Sequence, residues 1–123
     1  MPINVLLVDD QMLVREGIKS LLSLSDDVNV VGEANDGSHV LAQLNQHLVD
    51  LILLDLSMPN VDGIATLKLL RENEIQIPVI ILTTFDDHQL VLEGLAAGAK
   101  GYLLKDVSLD TLCTSIKSVF KGN

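Results

Sequence analysis

Three carboxylates in this chain come directly after short apolar runs: Asp9 and Asp10 after residues 3–8, and Asp55 after residues 51–54. Runs this short and this apolar predict strands that are buried on both faces. Like charges about 4 Å apart repel by roughly 4 kcal/mol per pair at an effective dielectric of about 20, so clustered carboxylates must bind a cation or hold a proton. Oxygen ligands of this kind predict Mg²⁺, which proteins typically hold with one or two carboxylates, water and phosphate.

Two more polar residues close later apolar runs. Thr83 follows residues 79–82, and Lys105 follows residues 101–104. A hydroxyl and an ammonium group beside a carboxylate cluster suit a dianionic phosphoryl group, because phosphoryl transfer requires mainly positioning and neutralisation of charge. Asp55 is then the predicted nucleophile for an aspartyl phosphate. The set contains no His or Cys, which argues against zinc or copper.

Each of these residues also has an ordinary explanation when it is taken alone. Asp9 and Asp10 can cap a first helix, Thr83 can be a β-branched strand residue, and Lys105 can be a surface lysine whose stem packs on apolar neighbours. Their occurrence at successive strand ends favours the functional interpretation.

The elements that must position these residues are five apolar segments, which alternate with five segments of helical periodicity. This alternation predicts an α/β fold, a single doubly wound and mainly parallel sheet with helices on both faces. Strand ends that precede a helix meet at one edge of such a sheet, where open α/β sheets bind their ligands. We therefore expect the five polar residues to share that edge.

The helical segments carry further expectations. Apolar periodicity extends the second helix to Leu48 and puts Phe120 on the buried stripe of the last helix. Asp86 and Gln89 have the spacing of a capping box for the fourth helix. Gly94 lies inside that helix, where glycine costs about 1 kcal/mol relative to alanine. This helix is therefore predicted to be the least rigid.

Composition limits the class of protein. The chain has 123 residues, enough for one domain, and a mean hydropathy of +0.39. It has no apolar run near the roughly 18 residues of a membrane span. A net charge of -9 argues against direct binding of nucleic acid. A single cysteine, Cys113, rules out an internal disulfide framework and favours the reducing cytoplasm.

Four motifs together resemble the receiver domain of bacterial response regulators, and the resemblance covers the whole chain. They are Val-Asp-Asp at 8–10, Leu-Asp-Leu-Ser-Met-Pro at 54–59 with Asp62-Gly63, Leu-Thr-Thr at 82–84, and Gly-Tyr-Leu-Leu-Lys at 101–105. The resemblance implies a flavodoxin-like sheet of five parallel strands in the order 2-1-3-4-5. It also implies a signalling switch of a two-component system, which is not an enzyme beyond its own phosphorylation and dephosphorylation.

The resemblance assigns roles at the predicted edge. Asp55 would accept the phosphoryl group from a sensor histidine kinase. Mg²⁺ would be held by Asp10, Asp55 and the backbone carbonyl of Ser57, with Asp9 acting through water. Lys105 would pair with the phosphoryl oxygens.

The resemblance also implies a conformational switch. Thr83 would hydrogen-bond the phosphoryl group, and Tyr102 would turn inward into the space that Thr83 leaves. The face of the fourth helix, fifth strand and last helix would then change and control homodimerisation. From spacing alone, however, Tyr102 is expected to be a core aromatic. Phe85, two residues after Thr83, is expected to crowd the site, so that Phe85→Ala alters the lifetime of the phosphoryl group.

Two finer motifs, Val-Arg-Glu-Gly-Ile at 14–18 and Leu-Ala-Ala-Gly-Ala-Lys-Gly-Tyr at 95–102, resemble the subfamily whose receivers precede a LuxR-type helix-turn-helix domain. We expect residues 1–123 to form the receiver, with the DNA-binding domain absent from this chain and DNA reached only through it. A stand-alone receiver that acts through protein–protein interaction, with no membrane partner, would have the same features.

Two rival classes use similar folds. A haloacid-dehalogenase-like phosphatase needs a second Asp two residues after its nucleophile, and this chain has Ser57 there. A flavodoxin-like electron carrier needs a phosphate loop and flanking aromatics, whereas aromatic residues are only 2% of this chain. The sequence also lacks the GxxxxGK loop of nucleotide hydrolases.

Overall fold

The computed structural model describes residues 2–84 and 87–122, and strands and helices alternate through them as the sequence pattern predicts. The strands are β1 (Ile3–Val8), β2 (Val28–Ala34), β3 (Leu51–Asp55), β4 (Val79–Thr83) and β5 (Gly101–Leu104). The helices are α1 (Met12–Leu22), α2 (Val40–Gln46), α3 (Gly63–Glu72), α4 (His88–Ala96) and α5 (Leu109–Phe120), with a 3-10 turn at Gly37–His39 before α2.

The five strands form one parallel sheet in the order β2-β1-β3-β4-β5. This confirms the predicted doubly wound α/β fold and its 2-1-3-4-5 order. Alternate side chains of each strand enter two separate cores. One core lies under α1 and α5, and the other lies under α2, α3 and α4.

The strands that end at Asp55 and Thr83, β3 and β4, lie inside the sheet and are buried on both faces. Every residue of β3 and of β4 is buried, because apolar helix residues cover both sides. Ile18, Leu22, Leu112 and Ile116 cover one face. Burial of a Leu or Ile side chain contributes about 1.5–3 kcal/mol, so these strands form a stable platform for the polar residues at their ends.

Gly94 has a packing reason that the sequence does not reveal. A Cβ atom at this position would lie 2.4 Å from Cδ1 of Ile81, which is fully buried on β4. The missing side chain therefore lets α4 approach the sheet closely. Close helix–sheet packing is therefore a structural reason for glycine at this position. The low rigidity expected of α4 stays a prediction.

Three details of the helices differ from expectation or lie outside the described residues. Helix α2 ends at Gln46, and Leu48 follows in the next loop, where it is 86% exposed. Phe120, the last residue of α5, is 48% exposed and does not extend the buried stripe. Asp86, the predicted cap of α4, lies outside the described residues, as does Phe85. Across residues 2–84 and 87–122, each helix is too short or too polar to span a bilayer.

Candidate phosphoacceptor site

The register of the sheet brings the predicted polar residues to one edge. Val8 pairs with Leu54, so Asp9 and Asp55 lie one residue further along neighbouring strands. On the other side of β3, Asp55 pairs with Leu82, and Thr83 follows it. Thr83 in turn pairs with Leu104, the residue before Lys105. The predicted placement at a shared edge is therefore confirmed.

The three carboxylates form one cluster. Asp9, Asp10 and Asp55 each offer an oxygen, and these oxygens lie within 4.8 Å of one another. Asp9 is fully buried and Asp55 is 3% exposed, whereas Asp10 is exposed. One oxygen of each buried carboxylate accepts a backbone hydrogen bond, from Gln11 N to Asp9 (2.8 Å) and from Ser57 N to Asp55 (3.2 Å). The Oδ2 atoms of both accept no hydrogen bond from the described residues.

Lys105 supplies the positive charge of the site. Its Nζ lies 3.3 Å from Asp9 Oδ2 and 3.3 Å from Asp55 Oδ1. The ion pair with Asp9 is close without meeting hydrogen-bond geometry, since Asp9 Oδ2 has no hydrogen-bond donor among the described residues. Only 15% of the lysine side chain is exposed. The alternative of a surface lysine is therefore wrong.

The environment of Asp55 opposes its negative charge. Burial, followed by the charge of Asp9, raises the pKa of Asp55 to about 6, and the nearby Lys105 ammonium limits the rise. A carboxylate with this pKa is mostly ionised above pH 7, at a cost in free energy. Asp55 is thus a buried carboxylate, and a further cation beside it would offset the cost of its charge.

The donor set fits a hard divalent cation such as Mg²⁺. It consists only of carboxylate oxygens, and two of the buried ones have no hydrogen-bond partner in the described part of the chain. Three formal negative charges face one lysine. Oxygen ligands and excess negative charge are the features that Mg²⁺ sites require. Ser57, whose backbone carbonyl is the predicted fourth ligand, lies in the exposed loop after β3 with its amide bonded to Asp55.

Thr83 and Tyr102 both line one cleft beside α4. Thr83 is buried and its hydroxyl donates to the carbonyl of Thr84 (3.1 Å). Tyr102 lines the same cleft together with Val91 and Leu95. The tyrosine is 55% exposed, so the expectation of a core aromatic is wrong. Because β5 is an edge strand, its outer residues are covered on fewer sides than those of β3 and β4.

Two residues contact the site that the sequence interpretation did not single out. Gln11 Oε1 accepts a hydrogen bond from Lys105 Nζ (3.0 Å). Arg15 donates to the backbone carbonyl of Asp9 (2.6 Å) and forms an ion pair with Glu33 (3.4 Å). The position of Gln11 directly after the acid pair was the only signal in the sequence. The explanation of Asp9 as a side-chain cap is not supported, since α1 begins after Gln11 without a side-chain cap.

Comparison with known proteins gives a consistent result. Residues 5–117 match the family model of the response regulator receiver domain. The chain is 41% identical over 120 residues to the transcriptional regulatory protein YdfI of Bacillus subtilis, covering 98% of this chain and 56% of YdfI. It is 40% identical over 122 residues to the nitrate/nitrite response regulator protein NarP of Escherichia coli, covering 99% of this chain and 57% of NarP. The chain thus spans little more than half of these relatives.

Solved structures show the same architecture. The signal receiver domain of the putative response regulator NarL from Mycobacterium tuberculosis superposes with a TM-score of 0.91 at 38% identity, covering 99% of this chain and 98% of that one. The response regulator ChrA of a heme-sensing two-component system superposes with a TM-score of 0.85 at 38% identity, covering 99% of this chain and 58% of ChrA. The fold and the sequence motifs therefore point to the same family.

Proposed function

The chain belongs to the response regulator receiver family of two-component systems, and on this basis we propose that Asp55 accepts a phosphoryl group from a sensor histidine kinase. The observation that carries the proposal is the state of Asp55: a buried carboxylate with one oxygen lacking a hydrogen-bond partner among the described residues, beside a lysine. Such an oxygen is a nucleophile that the protein does not otherwise use.

The proposed reaction transfers one phosphoryl group. An oxygen of Asp55 forms a bond to phosphorus while the phosphorus–nitrogen bond to the kinase histidine breaks. Lys105, 3.3 Å from both Asp9 and Asp55, is positioned to neutralise charge on the transferred group. Thr83, buried at the end of the neighbouring strand, offers its hydroxyl as a further donor. Beyond this transfer and its reversal by hydrolysis, the chain is proposed to have no catalytic activity.

Asp10, Asp55 and the Ser57 backbone carbonyl would hold Mg²⁺, with Asp9 contributing through water. When bound, the ion would neutralise the negative charges of the carboxylates and of the phosphoryl group. The buried Oδ2 atoms of Asp9 and Asp55, which accept no hydrogen bond from residues 2–84 and 87–122, support this assignment.

We propose that phosphorylation changes the face formed by α4, β5 and α5, and that this face passes the signal on. The cleft that joins Thr83 to the exposed Tyr102 offers space into which the tyrosine ring can turn after phosphorylation. A change at this face would control homodimerisation. Since the relatives are transcriptional regulators, we propose that the receiver controls an effector domain that binds DNA.

Intact mass after incubation with Mg²⁺ and a small phosphoryl donor tests the proposal directly, with Asp55→Asn as the comparison. We expect the wild-type chain to gain one phosphoryl group, only with Mg²⁺, and the variant to gain none. Gain in both proteins would mean that Asp55 is not the acceptor. Gain in neither would contradict the phosphorylation chemistry and leave a receiver that acts by protein–protein interaction alone.

A further inference from the structure

Asp36 is a buried carboxylate outside the phosphoacceptor site that makes contacts over a long sequence distance. It is 3% exposed and lies in the turn between β2 and α2. Its Oδ1 accepts a hydrogen bond from Ser38 N (2.8 Å), which caps the 3-10 turn. Its Oδ2 accepts from the backbone amides of Asn60 (3.0 Å) and Val61 (3.1 Å). One side chain thus joins the β2–α2 turn to the loop after β3.

That loop runs from the phosphoacceptor to α3 and includes Ser57. Its first part is tied to the site, because Ser57 N donates to Asp55. Its end is tied to α3, because Asp62 accepts from Ala65 N (2.9 Å). Between these points Ser57, Pro59 and Asn60 are exposed. The hydrogen bonds that Asp36 accepts therefore hold the exposed middle part of this loop in place.

Gly37 brings the β2–α2 turn and the loop after β3 into close contact. Its backbone N donates to the carbonyl of Val61 (3.0 Å). A Cβ atom on Gly37 would lie 2.0 Å from Thr66 Oγ1 and 2.7 Å from the Val61 carbonyl oxygen. Only glycine permits this approach. The turn at residues 36–37 and the loop at residues 60–61 are therefore joined by a carboxylate and by the backbone together.

We infer that Asp36 is a positioning residue for Mg²⁺: through Asn60 and Val61 it fixes the loop that presents the Ser57 carbonyl to the ion. The inference rests on the proposed function, since it concerns the same metal site. Partners that hydrogen-bond a metal ligand directly typically change metal affinity by about 10- to 100-fold when they are removed. Asp36 acts one step further out, through the loop, so we place its effect at the low end of that range. Asp36 contacts none of the four predicted ligands itself.

Titration of backbone ¹⁵N amide shifts with Mg²⁺ tests this inference in wild-type protein and Asp36→Asn. Asn has the same shape but only one acceptor oxygen, so it cannot accept both from Ser38 N and from the amides of Asn60 and Val61. We expect an apparent Kd for Mg²⁺ raised about 10-fold and faster hydrogen exchange at the Asn60 and Val61 amides. The phosphorylation rate should return toward the wild-type value at saturating Mg²⁺, since the acceptor itself is intact.

Asp50→Asn is the matched control. Asp50 Oδ2 also accepts a hydrogen bond from a backbone amide, that of Asn4 (2.9 Å), but at the opposite end of β3. The control should bind Mg²⁺ as the wild-type does. An unchanged Kd in Asp36→Asn would overturn the inference while the proposed function stands. Absence of Mg²⁺ binding by the wild-type chain would instead contradict the proposed function.

Asp36→Ser separates the loop contacts from helix capping, and it also serves if Asp36→Asn does not fold. A serine hydroxyl can still cap the 3-10 turn at Ser38 N, but it is too short to reach both Asn60 and Val61. The inference requires this variant to show the weakened Mg²⁺ binding. If Asp36→Ser binds Mg²⁺ with the wild-type Kd, the loop contacts do not position the ligand.

Discussion

Replacing Asp55 with Asn measures the electrostatic cost of the site without any phosphoryl donor. Burial and Asp9 raise the pKa of this carboxyl from 3.8 to about 6. The folded chain therefore binds the proton more tightly than the unfolded chain does. Ionisation of Asp55 therefore lowers the free energy of unfolding. This penalty is fully present well above pH 6, and it disappears as the pH falls through 6 toward 3.8.

The size of the penalty follows from the two pKa values. About 1.4 kcal/mol for each tenfold change in proton affinity gives about 3 kcal/mol at neutral pH. Asn keeps the hydrogen bond from Ser57 N through its Oδ1 and removes the charge beside Asp9. Part of the gain is lost because Lys105 keeps only one carboxylate partner. We therefore expect the free energy of unfolding of Asp55→Asn to exceed that of the wild-type chain by about 1–3 kcal/mol at pH 7.5.

Urea unfolding in EDTA at pH 7.5 and at pH 4 is the assay. A gain of this size moves the midpoint by about 1 M, given slopes of about 1–3 kcal/mol per molar urea. The gain should be small at pH 4, where Asp55 is protonated in the folded chain. Asp50→Asn, the same change at a carboxylate that accepts from Asn4 N, should not stabilise. An equal gain at both pH values, or a loss at pH 7.5, would refute the electrostatic reasoning.

Three further predictions concern charge and packing. Lys105→Met should lower the free energy of unfolding by about 3 kcal/mol in EDTA, because two buried carboxylates lose their cation; urea unfolding measures this, and Lys105→Arg should restore part of it. Gly94→Ala should destabilise by about 1–3 kcal/mol through overpacking against Ile81. Gly17→Ala on α1, where nothing lies within 4 Å of the added Cβ, should instead stabilise by about 0.5–1 kcal/mol; equal effects at the two glycines would contradict the packing argument. Backbone hydrogen bonds, first that of Ser38 N, lower the pKa of Asp36 to about 2, so the stability advantage of wild-type over Asp36→Asn should be constant above about pH 4 and disappear as the pH falls through 2.

The sequence was sufficient for the fold and for the placement of the site, because both depend on coarse patterns. Apolar runs ending in a polar residue located the carboxyl ends of the strands. Parallel topology then required those ends to meet, which is why Asp9, Asp55 and Lys105 could be placed together. The metal and phosphoryl roles were inferred from the chemistry of these residues and from the resemblance, and they stay predictions.

The wrong burial predictions concern residues at helix ends and on the edge strand of the sheet. Apolar periodicity does not show where a helix ends or which strand is uncovered. Leu48 continues the apolar spacing of α2, but the chain leaves the helix at His47 with an extended backbone. Phe120 fits the stripe of α5, but it lies at the end of the helix, where it stays 48% exposed. Tyr102 has the spacing of a core residue, but it lies on β5, which the predicted 2-1-3-4-5 order already placed at the sheet edge, and it is 55% exposed. The solvent exposure of such residues depends on how far the neighbouring helices and strands extend.

The hydrogen bonds of Gln11 and Asp36 were unpredictable for a different reason. Gln11 reaches Lys105 across 94 positions of sequence, and Asp36 reaches Asn60 across 24. Such contacts depend on side-chain conformation and on the exact path of two loops. Neither contact is encoded in periodicity or in a local motif, and only the assembled structure shows them.

The charges of the site explain why its stability and its ligand binding are linked. A pKa of about 6 leaves Asp55 ionised in more than about nine-tenths of molecules at pH 7.5, which is the form that the proposed phosphoryl transfer requires. Lys105 limits the rise in pKa; without it, burial and Asp9 would favour the protonated acid, which is a poor nucleophile. The ionised state still costs free energy, and any added positive charge reduces that cost. Mg²⁺ should therefore raise the free energy of unfolding of the wild-type chain by more than it raises that of Asp55→Asn, because the variant has already lost the repulsion that the ion relieves.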